Sequence, residues 1–193
     1  MLGIKNNQKG SSLIEALAVI SVISVLSISA LKIISSVYGL FKINMATNEI
    51  KELQKNISGV YNYSGNYKQF FENDVYKTLC ETDKVAPSQM CVKNDSSYIL
   101  RHRLSGGVTI DKSDDSEGYL ITFEGLNKKN CATLAQIEWL DRKKISIYQL
   151  NINETPVAYF PKRNNKVFPI DVKSAFSYCN KGGEKNTITW FFY

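Results

Sequence analysis

Lys9-Gly10-Ser11-Ser12-Leu13-Ile14-Glu15 decides the fold, because it sets a carboxylate at the mouth of the otherwise uncharged apolar run Ala16–Leu31. A charge that enters hydrocarbon costs a few kcal/mol, so an acidic side chain there marks a functional site. From Leu13 to Leu31, with Ile33, Ile34, Val37, Leu40 and Phe41 beyond, the run supplies the ~20 residues of a spanning helix. Lys32 interrupts it, but a lysine near the end of a span snorkels to the interface. Lys5 and Lys9 precede the run, which favours a cytoplasmic N-terminus with the bulk of the chain outside. An ordinary secretory signal shares the basic start and apolar core, yet its small-residue cleavage site follows the core. No such site stands out among the serines here, and a secretory signal gives no reason for Glu15.

Outward from this run, the helix is expected to continue. Ile43, Ile50, Leu53, Ile57 and Val60 recur at the three, four and seven spacing of one helical face, with Lys42, Asn44, Asn48, Glu49, Lys51, Glu52 and Lys55 between them. Proline is absent before Pro87, so nothing obliges a break, although Gly39 permits a bend. The pattern predicts one helix of about 45–50 residues, spanning below and amphipathic above, whose outer stripe needs a sheet to pack on.

Residues 61 to about 105 are rich in tyrosine and asparagine and read as an irregular connection holding a short helix around Lys68–Leu79. Gly107-Val108-Thr109-Ile110, the acidic turn from Asp114 to Gly118, and Tyr119-Leu120-Ile121-Thr122-Phe123 read as a β-hairpin. Asn127 or Asn130 is placed to cap a helix running through Trp139 and Leu140. Asp141-Arg142-Lys143-Lys144 reads as a loop, Lys144 to Ile152 as β-rich, and Pro169 as the first turn of a helix reaching Cys179. After the turn Lys181-Gly182-Gly183-Glu184, Ile188, Trp190 and Phe192 alternate with Thr187, Thr189 and Phe191, as in a half-buried closing strand. A helix followed by mostly antiparallel strands with short helices is an α+β arrangement.

Roughly 130 of the 193 residues remain beyond the leader and first helix, enough for one domain. The formal charge is +6, and without Lys5 and Lys9 the balance is 22 basic against 18 acidic side chains, which reads as a solvated surface. Charge gives no case for nucleic-acid binding. Cys80, Cys91, Cys131 and Cys179 all lie beyond the membrane run, where the environment is oxidising, so two disulfides are expected. Three pairings are open on paper; a local staple Cys80–Cys91 with a long clasp Cys131–Cys179 is preferred. Zinc fails on spacing, because there is no CxxC pair and His102 is the single histidine. His102, between Arg101 and Arg103, reads as a surface or strand-edge histidine whose protonation the two cations disfavour. Gly106-Gly107 and Gly182-Gly183 read as turns, and there is no nucleophile at motif spacing. No enzyme activity, cofactor or metal is expected.

The stretch from Lys9 to Glu15 resembles the processing site of type IV pilins and their relatives. In that family a membrane peptidase cuts after the glycine, the new N-terminus is methylated, and a glutamate at the fifth mature position aligns subunits in a filament. Further along, the resemblance is to the type IVb pilins, the class of toxin-coregulated, bundle-forming and conjugative thin-pilus pilins. Ala86-Pro87-Ser88-Gln89-Met90 resembles the segment ahead of their first sheet strand. Ser105-Gly106-Gly107-Val108-Thr109-Ile110 resembles their glycine pair and strand, and Tyr119 to Phe123, Leu126 and Cys131-Ala132-Thr133-Leu134 the next strand and cysteine-bearing helix. Cys179, Gly182-Gly183 and Asn186 to Phe192 resemble their C-terminal cysteine and closing strand.

The resemblance implies a pilin fold, with a long N-terminal helix packed on an antiparallel sheet. It implies a leader over residues 1–10, a helix over 11–60 with its assembly segment at 13–37, and a head over 61–193 whose sheet and disulfide-bracketed region occupy 106–193. It makes Gly10 the residue before the cut, Ser11 the methylated N-terminus, Glu15 the assembly carboxylate, and Cys131–Cys179 the family's disulfide. A ten-residue leader, Ser11 in place of a bulky apolar residue, the extra pair Cys80 and Cys91, and Lys32 where the other pilin class has a proline are departures. The implied function is a subunit that polymerises with itself, served by a prepilin peptidase and the inner-membrane assembly machinery. It would sit in the bacterial inner membrane before assembly and in an extracellular pilus for adhesion, aggregation or mating contact afterwards. A minor pilin or pseudopilin that primes or tips the fibre, and a signal-anchored adhesin that never polymerises, are the alternatives.

Overall fold

Helix α1 covers Gln8–Ser64, longer than the periodicity predicts. The computed structural model describes residues 8–64 (side chains from 13 to 60), 75–81, 85–113, 118–139, 147–159 and 168–193. The chain divides into two compact units, Met1–Phe41 and Lys42–Tyr193, and α1 contributes to both.

In the second unit the outer stripe of α1 is the core's helical wall. Ile43, Ala46, Ile50, Leu53 and Ile57 are all buried, and Val60 is partly so. Each such side chain removed from water contributes about 1.5–3 kcal/mol, enough to hold a helix that intrinsic propensity alone would leave marginal. A second helix, α2 (Val75–Glu81), and a short 3-10 turn (Ser88–Met90) precede the sheet.

The described residues form one antiparallel sheet of seven strands: β1 (Cys91–Asn94), β2 (Ser97–Arg101), β3 (Gly107–Lys112), β4 (Tyr119–Leu126), β5 (Ile147–Ile152), β6 (Thr155–Tyr159) and β7 (Asn186–Phe192). Their order is β1-β2-β3-β4-β7-β5-β6, so the last strand inserts between β4 and β5. β4 from Tyr119 to Phe123 and β7 along its length alternate between buried and half-buried residues, and their pairing sets Ile121 opposite Trp190 and Phe123 opposite Ile188. The buried face carries Tyr119, Phe123, Trp190 and Phe192, with Tyr119 stacked on Phe192 and Phe123 edge-on to Trp190. Two short helices, α3 (Lys128–Ala135) and α4 (Val172–Cys179), complete the unit.

The β3–β4 hairpin and the β7 alternation match the sequence pattern, and the turn at 181–184 lies where the glycines put it. Several expectations need correction. The stretch 61–105 is not all connection, because β1 and β2 form a hairpin between Cys91 and Arg101. Their side chains are mostly exposed, and an edge hairpin of this kind lacks the apolar alternation that announces a strand. The helix expected over Lys68–Leu79 is present from Val75 to Glu81, its first half lying outside the described residues. α3 stops at Ala135, short of Trp139, which is nevertheless buried and sits edge-on to Phe192. Pro169 lies ahead of α4, whose N-cap is Asp171 accepting from the Ser174 amide at 3.0 Å. β6 was not foreseen: its hairpin with β5 turns on Asn153 and Glu154, both at positive φ (49° and 63°), the geometry of a type I′ turn without the Asn-Gly signal. The charged loop Asp141–Lys144 and most of the acidic turn, 114–117, lie outside the described residues.

Candidate assembly helix and clasped region

Gly10 and Ser11 fall in the first turns of α1, and Ser11's side chain lies outside the described residues. Glu15 stands four residues after Ser11, on the same side of the helix, and is exposed. Among the described residues no side chain pairs with it. From Leu13 to Phe41 the apolar side chains are exposed on every side: Ile14 is 70% exposed, Leu26 64% and Phe41 56%. The segment is long and apolar enough to cross a membrane. An apolar surface that encircles a helix is suited to lipid or to other helices, and cannot be stable in water.

The serines in this surface do not spoil it. Ser24, Ser27 and Ser29 donate back to the carbonyls of Ile20, Ile23 and Val25 at 2.8–2.9 Å, and Ser21 to Ala18 at 2.8 Å. Each hydroxyl is thereby satisfied within its own helix, and a small side chain lets a neighbouring helix approach closely.

Two disulfides are formed. Cys80–Cys91 ties α2 to the start of β1 across 11 residues, and Cys131–Cys179 joins α3 to α4 across 48. Cys131 and Cys179 are fully buried. Beside this clasp lies a knot of amides. Asn186, fully buried at the head of β7, donates to the Leu126 carbonyl at 3.1 Å and to the Gly183 carbonyl at 2.8 Å. Its own oxygen accepts from Asn153 at 2.9 Å, and Asn153 also donates to Tyr178 and accepts from the Thr187 amide. One network thus binds the β5–β6 turn, the end of α4, the glycine turn and the closing strand.

A second polar cluster lies where α1 meets the sheet. His102, expected at the surface, is only 3% exposed and stacks on Phe123 with centroids 4.7 Å apart. Its pKa is lowered, and the cause is burial, not the arginines on either side. Glu49 of α1, 2% exposed, accepts from the Arg103 amide at 3.0 Å and from Arg103 Nε at 3.2 Å. Burial outweighs these bonds, so the Glu49 carboxyl is raised above its ordinary range. Sequence reasoning missed Glu49, Asn153 and Asn186 as structural centres. The one available signal was Glu49 itself, a carboxylate one place from the Ile50 position of the apolar stripe.

Among family models, that described as PilS N terminal matches residues 40–192, and that of the prokaryotic N-terminal methylation motif matches residues 5–31. A crystal structure of the type IV b pilin from Salmonella typhi is similar at a TM-score of 0.48 and 13% identity, over 74% of this chain and 96% of that one. No curated protein matches the chain.

Proposed function

The chain belongs to the PilS family of type IV pilins, and we propose that it is a filament-forming subunit of a type IV pilus of the IVb class. A single observation carries this reading. The methylation motif of residues 5–31 leads into a helix whose apolar side chains stay exposed through Phe41. Before assembly that surface holds the subunit in the inner membrane with its N-terminus on the cytoplasmic side. After a prepilin peptidase cuts between Gly10 and Ser11, and Ser11 is methylated, the helices of many copies bundle and take the place of lipid. Each leucine or isoleucine so buried contributes about 1.5–3 kcal/mol relative to exposure in water.

Glu15 then meets the α-amino group of Ser11 on an adjacent copy, a cation that survives methylation. In the low-dielectric bundle an unpaired carboxylate is strongly penalised and a paired one is not, which sets the register between copies. The head, with its two disulfides, faces outward in the assembled fibre.

Intact mass and N-terminal sequence of protein from sheared surface fibres test the reading. A chain that begins at Ser11, one methyl heavier and four hydrogens lighter than the reduced form, is expected. A chain that retains residues 1–10 and occurs only in membranes would overturn it.

A further inference from the structure

The chain's single histidine is held between a carbonyl acceptor and an amide donor, and the consequence lies outside filament assembly. His102 follows directly on β2, at the head of the corner 102–106 that leads to β3. Its Nε2 lies 2.9 Å from the Glu124 carbonyl, an acceptor, so Nε2 carries the ring proton. Its Nδ1 lies 3.1 Å from the Leu104 amide, a donor, so Nδ1 carries none. Phe123 closes one face of the ring. Gly106 lies so close that a Cβ there would collide with the Glu124 carbonyl and with Nε2. The corner is closed on itself by His102 N donating to Gly106 O at 3.1 Å and Ser105 N donating to His102 O at 2.9 Å. Arg103, inside the same corner, grips Glu49 of α1 through both its amide and its Nε.

We propose that the 102–106 corner is an acid-released latch, in which a proton added at His102 Nδ1 opposes the Leu104 N–H, opens the corner and loosens the Arg103 grip on α1. The step is a simple protonation: Nδ1 gains a proton from solvent, its bond from Leu104 becomes a contact between two donors, and the imidazolium leaves its slot beside Phe123. Among the described residues no acidic side chain hydrogen-bonds the ring. Among the described residues, the charged groups adjacent in sequence or linked by bonds are Arg101 of β2, Arg103 of the corner, Glu49 of α1, which Arg103 already engages, and Glu124 of β4, which offers the ring its backbone carbonyl. Beyond them, Tyr76 of α2 reaches the Ile110 amide of β3 and feels the charges of Asp111 and Glu124.

Burial lowers the His102 pKa in the folded chain. Its contribution to stability is therefore complete above the ordinary histidine value of 6.5 and is lost as the pH falls from there through the lowered value. Glu49 works in the opposite sense. Its raised pKa means that its protonation favours the folded state.

Nitrogen-15 labelling of histidine gives one imidazole signal in the full chain in detergent micelles, read together with amide hydrogen exchange from about pH 8 to about pH 5. The expected spectrum has the proton on Nε2 at neutral pH and a midpoint below 6.5. The Arg103 and Leu104 amides, corrected for intrinsic exchange, should lose protection by about tenfold for each unit by which the midpoint is depressed. A proton on Nδ1 at neutral pH, a midpoint at the ordinary value, or a titration that leaves both amides protected would each overturn the latch. His102→Gln keeps a donor for the Glu124 carbonyl and cannot gain a proton, so its melting temperature should rise relative to that of the parent as the pH falls through the histidine window. If that variant does not fold, the exchange measurement on the parent chain decides alone.

Discussion

Asn186 and Glu15 are polar groups of opposite legibility, and Asn186 constrains the molecule through the partners it holds. Asn186 satisfies two backbone carbonyls and one side chain in a site without solvent exposure. Replacing it by alanine leaves those groups unsatisfied in the core and is expected to cost about 2–3 kcal/mol, measurable as a lower denaturant midpoint. Its importance was invisible in the sequence, because the Leu126 carbonyl is 60 residues away. Glu15 is the reverse case, legible from its place at the mouth of an apolar run. On the proposed function, Glu15→Leu is expected to insert into the membrane as the parent does and to be missing from sheared fibres, since the carboxylate proposed to set register is gone while the apolar anchor is extended. Fibres of normal abundance from that variant would refute its assembly role.

At the scale of elements, local signals were reliable where the residues themselves do the work. Asn127, read as a candidate cap, accepts from the Asn130 amide at 2.8 Å and starts α3. Asn127→Ala is expected to destabilise the head by about 1 kcal/mol, seen as faster exchange of the first amides of α3. The stripe of α1 was legible because burial of Ile43, Ile50, Leu53 and Ile57 follows the helical period. Where an element borrows its stability from neighbours, the signal fails. β1 and β2 carry mainly exposed side chains and stand as strands by pairing with each other, with β3 and through the Cys80–Cys91 staple. Pro169 was misassigned because its backbone suits a first helical turn, whereas Asp171, two residues on, has the side-chain acceptor that the helix start requires.

For the whole molecule, the two disulfides differ in what they restrain. In the chain-entropy model, closing 48 residues restricts the unfolded chain by about 4 kcal/mol and closing 11 by about 3. Replacing both Cys131 and Cys179 by serine is therefore expected to lower stability more than replacing both Cys80 and Cys91. Equilibrium unfolding of the two double variants checks it, and the opposite ranking would place the dominant restraint at α2 and β1.

The sequence by itself determined whatever depends on neighbours along the chain: the apolar run with its carboxylate, the periodicity of α1, the β3–β4 hairpin, the Asn127 cap and the alternation of the last strand. These follow from bond geometry and side-chain period, which act over a few residues. Only the tertiary structure decided the insertion of β7 between β4 and β5, which cysteines meet, and the burial of His102, Glu49 and Asn186. Those outcomes join groups from 11 to more than 50 residues apart, as in the bond from Arg103 to Glu49. At such separations the fit of the whole core selects the contact, because the backbone between the partners places no direct constraint on them.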